Sequence, residues 1–245
     1  FSSIFGGEDV DARRARTGWD RSGADAAGWK PVLAVAGPGG RLRAQGVPPV
    51  IVHERFTQVT VTEPRPGIFV YDLGQNFSGR PEIVVRGAAG STVRFVPCEV
   101  LGADGAAWQR SFNAGPDRLV CYDYTLAGQG EERFVPRFTY HGFRYIQVEG
   151  AVPAGRPPNG LPEVMTISGQ FLSSDLPRTG TFQCEKLLFQ QTHQLIERAV
   201  VSNAFSILTD CPHREKLAWL EQTHLNADTV FYNRDGAALY EKTTD

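Results

Sequence analysis

Charge of one sign is what this chain lacks most plainly. Its 245 residues carry 25 Lys+Arg against 27 Asp+Glu, a formal net charge of −2. No basic run and no stripe of cations interleaved with aromatics is present, which argues against a nucleic-acid partner and against a membrane surface. Long apolar runs are missing as well; the longest fall far short of a bilayer span. Cysteine is scarce, and Cys98, Cys121, Cys184 and Cys211 show no Cys-x-x-Cys spacing. The pair Cys211-Pro212-His213 has no second ligand pair to join it, so a buried thiol and a helix-start imidazole are the better reading than zinc. We expect no metal and no cofactor, and leave disulfides open. Met165 is the single methionine and the chain opens at Phe1. Without a charged-then-apolar leader, it reads as an internal stretch of a longer protein, which leaves its compartment undetermined.

What is present reads first as β structure. The length suits one large domain or two to three small ones. Residues 1–45 are rich in glycine and charge, and Val32-Leu33-Ala34-Val35 between Gly/Pro punctuation predicts a short strand. Trp19 and Trp29 are expected to close a small β core. From Gly46 onward, strand candidates run over 58–62, 68–72, 82–86, 92–96, 119–125, 144–148 and 164–167, separated by Gly, Pro and Asn. Their spacing suits an antiparallel sandwich. The polar residues Asp72, Gln75, Asn76, Arg137, His141 and Arg144 invite a sugar-site reading, and Glu99 and Trp108 share it. A structural reading is favoured for all of them, with Asn and Gly setting turns and arginines bridging or docking the sheets.

The period changes near the C-terminus. After a joint at 171–177, Leu188, Gln191, Leu195, Ile196, Ala199 and Val200 recur at helical spacing within 182–205. A second helix is predicted to open at Thr209-Asp210-Cys211-Pro212, with Thr209 or Asp210 as cap and Pro212 in the first turn. From about His213, Glu215, Trp219 and Gln222 would then share one helix face, opposite Leu217, Leu220 and His224. A carboxyl group beside an indole, close to the second carboxylate of Asp210, is a way to build a general acid, because an apolar neighbour disfavours the charged form. Arg214 can pair with Glu215 or turn back to Asp210. On spacing alone, a cap and a structural ion pair are the favoured reading over catalysis.

The literal string is more specific than its spacing. Asp-Cys-Pro-His-Arg-Glu-Lys-Leu-x-Trp-Leu-Glu-Gln, from Asp210 to Gln222, resembles the active-site signature of the α-L-rhamnosidases of glycoside hydrolase family 78. The strings Tyr71–Gly79 and Pro136–Tyr145 are similar to sandwich motifs of the same family, and 1–45 is similar to the end of its N-terminal β-sandwich module. The resemblance implies a multidomain β plus α protein: a remnant of the N-terminal module at 1–45, a β-sandwich at 46–168, and at 169–245 the first helices of an (α/α)6 six-hairpin barrel. It implies Glu215 as the general acid of an inverting hydrolase, Asp210 and Trp219 as residues lining the rhamnose subsite, and a carbohydrate, a rhamnoside, as partner. The general base is expected downstream of Asp245. Arg214 is a candidate to orient a carboxylate. Two departures stand out: Ala218 replaces the usual glycine, and Glu221-Gln222 stands where many members have Gly-Asp. The acidic ligand of those members is therefore not reproduced at Gln222, and Glu221 is the candidate substitute, one residue out of register. A carbohydrate-binding sandwich without hydrolysis, or the same scaffold acting on another deoxyhexose or a uronate-linked sugar, remains the alternative.

Overall fold

The computed structural model describes residues 2–58, 60–110, 112 and 119–244. The expected strand at 58–62 includes Val59, which lies outside the described residues. Two short strands, β1 (Ser2–Ser3) and β2 (Gly7–Asp11), precede a 3-10 turn at Ala12–Arg14. The β region then follows as β3 (Val50–Thr57), β4 (Thr60–Arg65), β5 (Ile68–Arg86), β6 (Thr92–Cys98), β7 (Val100–Leu101), β8 (Ala107–Trp108), β9 (Cys121–Thr125), β10 (Glu131–Phe134), β11 (His141–Glu149), β12 (Val152–Pro153) and β13 (Glu163–Ser174). Three helices close the chain: α1 (Leu187–Ser202), α2 (Leu220–Asn233) and α3 (Ala237–Thr244). The fold class read from the sequence holds: a β region that curls on itself, then helices. None of the helices is long and apolar enough to cross a membrane among the described residues.

One sheet of eleven strands carries the β region, and it turns on β5. The sequence reading placed separate strands at 68–72 and 82–86; the stretch is instead one strand of 19 residues. Opposite β11 the register jumps, with Phe143 facing Phe77 and Tyr145 facing Asp72. Residues 73–76 therefore bulge out across from Arg144 alone, and the strand bends there without ending. Before the bulge β5 lies between β11 and β4; after it β11 stays paired through Gly79, and the strand then passes between β13 and β10. That exchange of partners lets one strand serve both layers of the sandwich. Pairing is antiparallel as expected except at β2–β9 and β12–β13, which are parallel.

Beyond the bulge, alternate residues Pro81, Ile83 and Val85 point inward, the period of a strand with one buried face. Phe77 sits at the bend, its ring 4.7 Å from both Phe56 and Phe143. Gly169 of β13 makes room for it: a Cβ there would lie 2.1 Å from the Phe77 ring. Val201 of α1 joins this core, so the first helix docks directly on the sandwich. A smaller core of Val47, Leu176, Val200, Ala204, Leu208, Val230 and Leu239 binds the helices to one another and to the start of β3.

Three expectations in the first segment and at the joint fail. Residues 30–46 form no strand, and Val32 and Leu33 are exposed, because no partner strand covers them. Trp19 and Trp29 are 56% and 53% exposed and close no core; Arg16 lies over the Trp29 ring instead. The joint at 171–177 begins later than read, since β13 continues through Ser174 paired with β3.

Candidate active site

The signature string is not helical where the sequence predicts it. Residues 212–215 form a turn, 216–219 have no regular secondary structure, and α2 starts only at Leu220 with Trp219 as its N-cap. Glu215, Trp219 and Gln222 do not share a helix face. The reason lies in Asp210 and Lys216. Asp210 closes a small ring of chain, its N–H donating to the Leu217 carbonyl at 3.0 Å while its Oδ1 accepts from the Leu217 N–H at 3.0 Å. Lys216 sits at φ +52°, a left-handed conformation that interrupts any helix. Thr209 caps nothing; its hydroxyl donates to the Asn203 carbonyl at 3.2 Å.

Asp210 is the hub of this ring. Oδ1 also accepts from the Cys211 N–H at 2.8 Å, and Oδ2 accepts from the Trp219 indole N–H at 3.0 Å. The Glu215 side chain supplies a further hydrogen bond to the same carboxylate. Burial alone would raise the Asp210 carboxyl, but the donors from Leu217, Trp219, Glu215 and Cys211 outweigh it and hold the group below the usual carboxylate range.

The other expected site residues divide. Arg214 pairs with its neighbour, Nε to Glu215 Oε1 at 3.8 Å, and makes no ion pair with Asp210. The Glu215 side chain is 39% exposed, so that pair is a weak, screened one. Trp219 is 46% exposed, with its ring edge tied to Asp210 and the rest open. Glu221 lies exposed in the first turn of α2, where a carboxylate favours the helix start, and it has no ion pair among the described residues. It is not brought into the ring around Asp210.

Residues that the sequence reading gave no role also hold the loop. The Glu215 N–H donates to Cys211 Sγ at 3.1 Å. His213 Nε2 lies 3.5 Å from Glu99 Oε2, and Glu99 in turn accepts from Asn76 Nδ2 at 3.1 Å. Burial pushes the His213 imidazole down, against the pull of Glu99. The buried Lys216 donates to the carbonyls of Ile4 and Tyr140, and burial brings its ammonium down to about 7. It borders a cavity of about 450 Å3 lined also by Arg80, Arg137, Tyr140, Phe205 and Thr209. A lysine preceding apolar Leu217 carries no local sign of burial; only the strands that pack beside it reveal it.

Asp72, Arg144 and His141 make structural contacts within the β region. Arg144 makes two parallel bonds to Asp72, each 2.8 Å, locking β11 to β5 across the bulge. His141 is fully buried between the Tyr122 hydroxyl at 2.7 Å and the Phe5 carbonyl at 3.4 Å, and burial holds it neutral, well below the ordinary histidine value. The four cysteines are free thiols. Among the described residues no group of three or more His, Cys, Asp or Glu is placed to hold a metal ion.

Comparison with known proteins gives a consistent answer across the chain. Residues 1–54 match the alpha-L-rhamnosidase N-terminal domain, 62–169 the bacterial alpha-L-rhamnosidase concanavalin-like domain, and 177–245 the bacterial alpha-L-rhamnosidase 6 hairpin glycosidase domain. An alpha-L-rhamnosidase of Streptomyces avermitilis is 35% identical over 98% of this chain, and one of Formosa agariphila 29% over 99%. The chain covers 23% and 25% of those two proteins, so it spans about a quarter of their length. Among solved structures, an alpha-L-rhamnosidase from Dictyoglumus thermophilum superposes with a TM-score of 0.86 at 31% identity, over 98% of this chain and 26% of that one. The Streptomyces avermitilis enzyme complexed with L-rhamnose gives 0.83 at 35% identity, over 98% of this chain and 22% of that one.

Proposed function

The chain belongs to the α-L-rhamnosidase family, and from that premise we propose that it forms part of an inverting glycoside hydrolase that releases terminal α-L-rhamnose from glycosides or polysaccharides. The observation that carries the mechanism is the hydrogen bond between Glu215 and Asp210. It supports Glu215 as the general acid. Glu215 stands beside the Asp210 carboxylate, and the helix face shared with the indole that the helical reading invoked does not form. As the glycosidic oxygen departs, Glu215 delivers a proton to it and Asp210 steadies the site's charge.

The remaining residues take roles around that pair. Asp210 is assigned to sugar hydroxyls through Oδ2, which accepts from the Trp219 N–H. Trp219, its N–H fixed on Asp210, offers an apolar face to the methyl edge of a deoxy sugar. Arg214 orients the Glu215 carboxyl. Glu221, exposed at the start of α2, is retained as a candidate sugar ligand.

Inversion needs a second carboxylate to activate water on the far side of the sugar, about 6.5–9.5 Å from the acid. Asp210 cannot serve, because it is hydrogen-bonded to the acid itself. The base therefore lies outside this loop, and residues 1–245 expressed alone are expected to leave an aryl α-L-rhamnoside uncut. In the complete protein, proton NMR of the first-formed sugar tests the reading: β-L-rhamnose should appear first and mutarotate later. Release of α-L-rhamnose first, or no hydrolysis of any rhamnoside, would overturn it.

A further inference from the structure

The loop that carries Glu215 has no regular secondary structure to hold it, yet its residues on either side of the acid are anchored in the sandwich. We propose that the sandwich surface formed by Glu99, Tyr140 and Gly142 is a positioning surface for the general acid, acting through Pro212, His213 and Lys216. This rests on the reading of Glu215 as the acid.

Three contacts carry the inference, and each crosses from the β region to the loop. On the C-terminal side of Glu215, Lys216 is 9% exposed and donates to the Tyr140 carbonyl, just before β11, and to the Ile4 carbonyl of the N-terminal segment. Its ammonium also lies 4.4 Å from the centre of the Tyr140 ring. The positive φ at Lys216 turns this side chain down into the sandwich, directly after Glu215. Lys216 has no carboxylate partner among the described residues. A buried lysine without a counter-ion is a poor way to gain stability, since an apolar side chain would fill the space without the desolvation cost. It is a good way to fix direction, because two carbonyls at set positions specify where the amine must sit.

On the N-terminal side, His213 reaches Glu99, which Asn76 of the β5 bulge holds from behind. Between these anchors the loop lies directly against β11. A Cβ on Gly142 would come within 2.8 Å of Pro212 Cγ and 2.7 Å of Glu99 Oε1, so only glycine permits this approach. The acid is thus held between two anchors on one rigid face. Small displacements there have a large effect, because a proton donor misplaced by about 1 Å loses on the order of 100-fold in rate.

The test uses Gly142→Ala and Lys216→Met in the complete protein, with Glu215→Gln as control. If the surface positions the acid, both variants lose kcat by roughly 10- to 100-fold with KM unchanged, and the loss is larger for aryl rhamnosides with poor leaving groups than for activated ones. Trypsin should also cut faster after the exposed Arg214 in both. Loss of equal size on both substrate kinds, or wild-type kcat and tryptic rate in both variants, overturns the proposal. If Glu215→Gln shows no leaving-group dependence, the acid assignment fails instead, and the tryptic rate alone decides whether the sandwich holds the loop. Should Gly142→Ala not fold, Lys216→Met carries the same outcomes.

Discussion

Asp210 changes meaning between sequence and structure. As a helix cap, it would tolerate Asn with little loss of stability, since both residues cap well. As the acceptor of donors from Cys211, Leu217, Trp219 and Glu215, it cannot. An amide would turn a donor toward a donor, and a part-buried group left unsatisfied costs about 1–3 kcal/mol. Asp210→Asn should therefore lower both melting temperature and turnover; an unchanged melting curve would return Asp210 to a merely local role. Lys216 allows a second test. Its native amine titrates at about 7 against 10.5 for an unperturbed lysine, so between those values the unfolded chain binds a proton that the folded one does not. Stability from this group rises with pH across that window and is flat below it. The melting temperature of wild type relative to Lys216→Met should climb from pH 7 toward pH 10, and parallel curves would contradict the burial. The literal residues around Asp210 were legible in the sequence; their bonding was not. Helical spacing of Glu215 and Trp219 is real, but a left-handed Lys216 and an aspartate that binds its own chain seven residues on leave no trace in periodicity.

At the scale of elements, the strands were legible by alternation and the bend in β5 was not. Gly74 and Asn76 are turn-forming residues, and read locally they divide Ile68–Arg86 into two strands. Pairing with β11 on both sides of the bulge keeps them in one strand, a tertiary fact beyond any local rule. The bend rests on Phe77, packed between Phe56 and Phe143 with Gly169 beneath. Phe77→Ala should cost about 3–5 kcal/mol, read as a shift in the denaturant midpoint at constant slope. A loss below about 1 kcal/mol would mean that the bend is held by its backbone alone. Helix α1 was legible from its apolar period, whereas the start of α2 was displaced because the cap-like residues at Thr209–Pro212 close a loop instead.

For the whole molecule, the two cores predict unequal behaviour. The sandwich core includes Tyr71, Tyr122, Phe95, Phe143 and Ile146, all nearly or fully buried, while the helices leave Leu187, Leu188, Leu195, Leu220, Leu225 and Tyr232 exposed. Val230 is fully buried in the smaller core, whereas Leu217, Leu220 and Phe231 are exposed. Exposed apolar area of this kind favours association. Residues 1–245 alone should self-associate, and limited proteolysis should remove 187–244 before it enters the sandwich; equal rates in both regions would contradict a weaker helical part. The α-L-rhamnosidase family accounts for the order of these parts, and the loop at Asp210–Trp219 is where they meet. The central claim is that Glu215 donates the proton there, and the leaving-group dependence of Glu215→Gln in the complete protein tests it most directly. Rhamnosides with poor leaving groups should slow by about 10²–10⁴-fold and activated ones far less, whereas wild-type rates on both would show that the acid is another residue.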